Sequence, residues 1–393
     1  METIYQKALE LSFKKLNSSI PGYKRFLYNK IISSTSKIIG IYGSRGVGKT
    51  TLILQYLKQQ KNNLYISMDH PIFENVSLFE FVEYASNYGI EVIAIDEIHF
   101  YKNFEQELKS IYDFLDIKVI FSGSSALKLT NASFARRYAM FHLPILSFRE
   151  YLELKHQINL PHFSLNEIFK NPSQEILTST DFKILPEFKE FLKEGVYPFY
   201  FQDKESYYDK IIRVINTILY EDLSFLNIDY KKIDSLKKLL LNICFSKPLE
   251  INIEKLASSV SITKVSLYKY LDILNRAELI NRILHSQKRF SNIKKPDKLY
   301  LANTNLLYSL CTPEIGQVRE TFFVSAIKPI TEIYFAEKGD FILPLNKEIT
   351  IEIGGKSKTF KQLKNIKNSY LVLDDIEIGS SKILPLWLFG FLY

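Results

Sequence analysis

The sequence predicts an α/β fold with a parallel-sheet core, and three stretches carry that prediction. Ile38 to Leu52 reads IIGIYGSRGVGKTTL, an apolar strand running into a glycine-rich turn and then a helical pattern. Glu91 to Ile98 reads EVIAIDEI, and Ile117 to Phe121 is a further apolar run that ends in Ser122-Gly123-Ser124-Ser125. Continuous β-branched runs separated by helical segments belong to strands buried on both faces of a parallel sheet.

The first stretch contains Gly43-Ser44-Arg45-Gly46-Val47-Gly48-Lys49-Thr50, a complete G-x-x-x-x-G-K-[ST] phosphate-binding loop. The spacing is demanding because several backbone N–H groups must converge on a polyphosphate, and glycine takes the required dihedrals without steric penalty. Lys49 would reach the β- and γ-phosphates, and the Thr50 hydroxyl would ligate Mg²⁺. The helix opened by Thr50 and Thr51 would offer its N-terminus to the anion. ATP or GTP is the expected ligand. A chance glycine-rich turn would leave the flanking strand and helix patterns unexplained.

Between the first two stretches, Leu64 to Met68 forms an intervening strand, and Asp69 and His70 after it are expected as loop residues, not catalysts. The second stretch ends in a pair of carboxylates with separable tasks. Asp96 would hold the Mg²⁺ shell, and Glu97 would point at the γ-phosphate and orient the attacking water. In the third, a small hydroxyl sits at the carboxyl end of a strand, where ligands bind in open α/β sheets. Ser122 is the first choice for a γ-phosphate sensor and Ser124 the second; a turn with an N-cap explains the same residues. Before the next short strand, Ala139 to Leu143, stand Arg136 and Arg137. Either fits an arginine finger reaching a neighbouring subunit, and either fits a salt-bridged loop arginine.

The order GSRGVGKTTL, IAIDEIHFYKNF, FSGSSALKL, the double arginine and LPILSFREYLEL resembles the bacterial and archaeal AAA-type ATPases. More closely, it resembles the branch in which the ATPase module precedes a C-terminal region of unassigned function. The likeness continues through Gly195-Val196-Tyr197-Pro198-Phe199, Lys295 to Leu301 and the tail LPLWLFGFLY. It implies ATP as the nucleotide and a P-loop NTPase core of five parallel strands. A helical lid, a winged helix and a small C-terminal α/β domain would follow. The expected division is an N-terminal helical segment over 1–30, the ATPase core over 31–150, the lid over 151–240, the winged helix over 241–300 and the terminal domain over 301–393.

At 393 residues with 46% hydrophobic content, the chain can bury several cores. Its two cysteines, Cys244 and Cys311, stand far apart and outside metal-type spacing, so neither a disulfide nor a zinc site is expected, and a reducing cytoplasm fits. No secretory pattern opens the chain, and no run approaches the ~20 apolar residues of a membrane span. The tail Pro385 to Tyr393 has the length of a buried strand.

Beyond the core, Ser147 to His156, Leu185 to Leu192, Tyr208 to Leu223 and Asp234 to Phe245 read as amphipathic helices. After Glu250, two short amphipathic helices join through a turn at Ser258 to Thr263, a helix-turn-helix pattern with a wing to follow. Thr263, Lys264, Ser266, Tyr268 and Lys269 would present the second helix, and Lys288, Arg289, Lys294 and Lys295 a basic hairpin tip, to double-stranded DNA. The net charge of +8 agrees with such contact, although winged helices also serve as plain spacers.

In the last region, Glu320, Asp340, Glu352 and Lys356 follow the order of restriction-endonuclease-like cores, where two acids share a divalent ion and a lysine positions water. The active pattern places lysine two residues after the second acid, but position 354 is glycine, so a degenerate, non-cleaving version is expected. The sequence as a whole points to a Mg²⁺-dependent ATPase that acts as a nucleotide-driven switch on or near DNA. An ATP-gated nuclease and a non-hydrolysing nucleotide-sensing adaptor are the alternatives, with a homo-oligomer or a protein client as possible partners.

Overall fold

The structure is a computed structural model that describes residues 1–123, 135–222, 232–246, 252–285 and 298–393. The chain divides between Pro144 and Ile145 into two compact units. Ser124, Lys288, Arg289, Lys294 and Lys295 lie outside the described residues.

The first unit holds α1 (Glu2–Leu16), α2 (Tyr28–Ile32), α3 (Lys49–Leu57), α4 (Leu78–Asn87) and α5 (Phe104–Phe114). Its strands are β1 (Ile38–Tyr42), β2 (Asn63–Ser67), β3 (Val92–Asp96), β4 (Lys118–Gly123) and β5 (Tyr138–His142). They form one five-stranded sheet in the order β2-β3-β4-β1-β5, parallel throughout. The expected α/β parallel-sheet core is therefore present. β3 is buried at every position, as a strand covered on both faces must be, and Ile38, Leu64, Ile93, Ile95 and Val119 pack into one apolar cluster with Phe81 and Leu108.

α1 closes the open side of this sheet. Tyr5, Ala8 and Ser12, spaced by three and four residues, make its buried face. Ser12 Oγ accepts the Tyr65 N–H at 2.9 Å, satisfying an edge-strand donor that no neighbouring strand could reach.

The second unit contains α6 (Phe148–His156), α7 (Leu165–Ile168), α8 (Ser173–Thr178), α9 (Ile184–Lys193), α10 (Tyr207–Thr217) and α11 (Ile233–Phe245). These are followed by α12 (Ile253–Ser259), α13 (Lys264–Arg276), α14 (Thr304–Leu310) and α15 (Ile315–Ile327). α6 opens with a full capping box between Ser147 and Glu150. The Gly195-Val196-Tyr197 break is held by Asn305, which accepts the Val196 N–H, and by the Tyr207 hydroxyl, which accepts the Gly195 N–H. A Cβ at Gly195 would stand 2.6 Å from the Tyr151 ring.

The strands of this unit are β6 (Ile280–His285), β7 (Lys298–Leu301), β8 (Tyr334–Phe335), β9 (Phe341–Leu343), β10 (Ile349–Gly354), β11 (Ser369–Leu373) and β12 (Ile383–Pro385). They form a mixed seven-stranded sheet in the order β12-β11-β10-β9-β8-β6-β7. β6 pairs antiparallel with β7 and parallel with β8. The boundary expected at residue 300 thus runs through a continuous sheet.

Two expectations are corrected here. Cys244 and Cys311 form a disulfide across a separation of 67 residues, with Cα atoms 6.2 Å apart. Tertiary folding brings the end of α11 beside the end of α14, a proximity that cysteine spacing does not encode. The tail is not a strand either: after β12, Leu386–Phe391 winds into a 3₁₀ helix whose residues are all buried. An apolar run with no polar alternation carries no period, so length alone suggested the wrong element.

Candidate functional site

The phosphate loop follows β1 and turns through Gly46 (φ 85°) and Gly48 (φ 97°), both in the left-handed region. Gly43 is fixed by crowding instead: a Cβ there would stand 2.2 Å from the Leu143 carbonyl oxygen. No side chain caps α3, which leaves its first N–H groups to an anion. Lys49 is buried and folds back, donating from Nζ to the Gly43 and Ser44 carbonyls at 3.0 and 2.9 Å. These bonds would be exchanged for phosphate oxygens. From outside the motif, buried Arg25 donates to the Val47 carbonyl and to the Pro144 carbonyl, each at 2.9 Å, and so buttresses the loop.

Asp96, at the end of β3, is the hub. Its Oδ2 accepts from Thr50 Oγ1 at 2.7 Å and from the Tyr65 hydroxyl at 2.8 Å. Its Oδ1 accepts from Ser122 Oγ and from the Glu97 N–H. The hydroxyl–carboxylate pair of Thr50 and Asp96 is an all-oxygen donor set that suits Mg²⁺. Thr51 follows in the first turn of α3. Burial, reinforced by the Asp96 charge, pushes the Tyr65 phenol above its ordinary value, so it remains a donor.

Glu97 adopts the left-handed conformation (φ 51°, ψ 42°), an uncommon state for a residue with a Cβ. Burial raises its carboxyl above the ordinary value, against the opposing charges of Lys49 and His99. Its Oε2 lies 3.3 Å from Nδ1 of the buried His99, close enough for an ion pair but not aligned as a hydrogen bond. Thr50, Asp96 and Glu97 open onto a cleft of about 320 Å³ whose far wall includes Lys15, Ser67, Asp69 and His70. Asp69 accepts from Ser67 Oγ and His70 caps a short helical turn, the loop roles expected of them.

Ser122, fully buried, bridges Asp96 and Glu97 by donating to the one and accepting the N–H of the other. Of the two arginines, Arg137 pairs with Asp113 on α5 at 3.2 Å, and Arg136 is exposed. Tyr65, His99 and Arg25 are the contributors that motif spacing missed.

In the second unit, Glu320, Asp340 and Glu352 draw together, but around lysines. The fully buried Lys298 Nζ on β7 lies 3.0 Å from Glu320 and 3.4 Å from Asp340. The Tyr300 hydroxyl donates to Glu320, and the Ile353 N–H to Asp340 at 2.7 Å. Glu352 pairs with Lys358 at 2.5 Å. Lys356, the expected partner, is exposed. The chain reverses after Gly354 and passes Lys358 over it, so that a Cβ at Gly354 would stand 2.5 Å from the Lys358 Cβ. Burial raises the Glu352 carboxyl, with Lys358 opposing. Among the described residues, no group of three or more His, Cys, Asp or Glu is arranged to hold a metal ion.

α12, a turn and α13 form the expected helix-turn-helix sequence of elements, with Thr263 as N-cap of the second helix. Lys269 is exposed, and Lys264, also exposed, pairs with Glu254 at 3.1 Å. No helix among the described residues is long and apolar enough to cross a membrane.

Residues 35–152 match the family model described as an AAA domain. That match takes in the phosphate loop, the Asp96–Glu97 strand end and all five strands of the first sheet. Residues 185–315 match a domain of unknown function, DUF8612. An uncharacterized protein of Methanocaldococcus jannaschii is 28% identical over 93% of this chain and 88% of its own length. A Walker-type ATPase of Pyrococcus abyssi shares 14% identity, with a TM-score of 0.44 over 78% of this chain and 94% of that one. A structure described for katanin self-assembly shares 17% identity, with a TM-score of 0.24 over 42% of this chain and 58% of that one.

Proposed function

We propose that this protein is a Mg²⁺-dependent ATPase that acts as a nucleotide-driven switch on or near double-stranded DNA. The observation that carries the proposal is the bond between Thr50 and Asp96 at 2.7 Å, with Glu97 beside it on an open cleft. The phosphate loop binds the polyphosphate through its backbone N–H groups, and Lys49 swings from the loop carbonyls to the β- and γ-phosphates. Thr50 and Asp96 hold the Mg²⁺, which when bound neutralises charge developing on the phosphoryl group. Glu97, with its raised pKa, accepts a proton from the attacking water. Ser122 ties Asp96 to the Glu97 backbone N–H, so it would sense the γ-phosphate through those two residues. Arg136, exposed and not tied to Asp113, is the better finger in an oligomer.

The DNA element of the proposal is supported by the helix-turn-helix order of α12 and α13, the antiparallel β6–β7 pair after them and the exposed Lys269. The nuclease alternative is not favoured, because Lys298 and Lys358 already neutralise the acids it would need. The deciding experiment is steady-state ATP turnover with and without double-stranded DNA, with Glu97→Gln as control. Turnover stimulated by DNA and abolished in the control is expected. Turnover indifferent to DNA removes the DNA element, and tight ATP binding without turnover would establish a sensing adaptor in place of an ATPase.

A further inference from the structure

Tyr65 belongs to neither the phosphate loop nor the acidic strand, yet its hydroxyl reaches the centre of the site. A carboxylate oxygen offers about two lone-pair directions, and on Asp96 Oδ2 these are taken by Thr50 and Tyr65 at 2.7 and 2.8 Å. The two donors are not equivalent. Thr50 sits on a helix next to a loop that must rearrange around nucleotide. Tyr65 is 7% exposed on β2, its ring buried and its own N–H held by Ser12 of α1. Lys15 of α1 lies 5.9 Å over the same ring.

We propose that Tyr65 is a positioning residue that fixes the Asp96 carboxylate for metal binding, and that α1 maintains the metal site through it. The inference rests on the reading of Thr50 and Asp96 as the Mg²⁺ holders. With the phenol in place, Asp96 Oδ2 keeps one fixed donor when Thr50 shifts to accommodate a cation. Without it, the carboxylate keeps its charge, but Oδ2 loses its fixed donor and only the bonds of Oδ1 to Ser122 and to the Glu97 N–H orient it. The defect should therefore be confined to the metal.

The test is Tyr65→Phe, which removes one oxygen and leaves the buried ring. Affinity for a fluorescent ribose-labelled ATP is measured in EDTA and across a Mg²⁺ titration, alongside turnover against Mg²⁺ at saturating ATP. The expected result is an unchanged metal-free affinity and a Mg²⁺ midpoint raised about tenfold, the size of one hydrogen bond to a charged group. The kcat at saturating Mg²⁺ should stay within about twofold, because a displaced carboxylate is recovered by mass action. Ser12→Ala, which frees the Tyr65 N–H, should shift the same midpoint in the same direction by less.

An unchanged Mg²⁺ midpoint in Tyr65→Phe overturns the proposal. So does an equal loss of affinity with and without Mg²⁺, which would mark Tyr65 as a packing residue. If the wild type binds the labelled ATP no better with Mg²⁺ than with EDTA, the metal-dependent reading of the site fails first, and the proposal with it.

Discussion

The protein gathers acidic residues in both of its units and treats them in opposite ways. Asp96 is surrounded by neutral donors, the hydroxyls of Thr50, Tyr65 and Ser122 and the Glu97 N–H. Glu320, Asp340 and Glu352 are surrounded by ammonium groups, Lys298 between the first two and Lys358 on the third. Hydroxyl donors orient a carboxylate while leaving its charge unspent, so a cation still has something to bind. Lysines spend that charge within the chain. The same side-chain chemistry therefore makes a receptive site in one unit and a self-sufficient polar core in the other.

The contrast can be broken most severely at the receptive site. Lys49→Ala should lose ATP binding. Glu97→Gln should keep it while kcat falls by roughly a hundredfold or more, as expected for removal of a positioned base. Equilibrium binding and single-turnover measurements separate the two, and undiminished turnover in Glu97→Gln would remove that residue from the base role. Next in size, Lys298→Met should destabilise the second unit by roughly 3 kcal/mol, because it leaves two part-buried carboxylates uncompensated. A shift in the urea midpoint measures this. A Lys298→Met protein that instead gains affinity for Mn²⁺ would show that the lysine had been standing in a cation position.

Smaller effects sharpen the same comparison. The Glu352 carboxyl is raised above its ordinary value of 4.5 by burial. A carboxyl raised in the folded state adds stability that is fully present below its unfolded pKa and is lost as pH rises through its folded pKa. Wild type should therefore lose stability relative to Glu352→Gln as pH climbs from about 4.5 through the raised value, with a flat difference beyond. Denaturant melts of both proteins across that window check the sign, and a wild type that gains stability relative to Glu352→Gln as pH rises would refute it. The smallest effect distinguishes two neighbours. Lys356→Ala should change stability by no more than about 0.5 kcal/mol, as for an ordinary surface position, whereas Lys358→Ala should exceed it by leaving buried Glu352 unpaired.

What sequence could reveal depended on how local the constraint was. The phosphate loop and the acidic strand were legible because each task is performed by residues adjacent in the chain, held by glycine dihedrals and by a strand end. Tyr65, Arg25 and His99 were not, because their roles arise where separate segments meet; nothing in NLYIS shows that its tyrosine reaches across to Asp96. Glu320 and Asp340 meet at Lys298, and Glu352 pairs with Lys358 where Lys356 was expected. Strand alternation predicts which face Lys356 takes only if the strand continues, and it ends at Gly354. Lys298 opens the apolar strand KLYL, where a charge at a strand start ordinarily faces solvent; only the pairing of β7 with β6 turns it inward. The disulfide was hidden for the same reason.

The continuity of the second sheet turns it into a lever. Lys298 sits on β7, and the acid it holds at 3.4 Å, Asp340, immediately precedes β9, three ladders away across β6 and β8. A load applied to the β6–β7 pair would thus be carried by rows of hydrogen bonds instead of being dissipated in a linker. Its first measurable effect would be a change in the length of a buried ion pair. Lys298 and its two acids are in this sense a strain gauge built into the beam, and a spectroscopic label beside them would register a shift of β7 against β9.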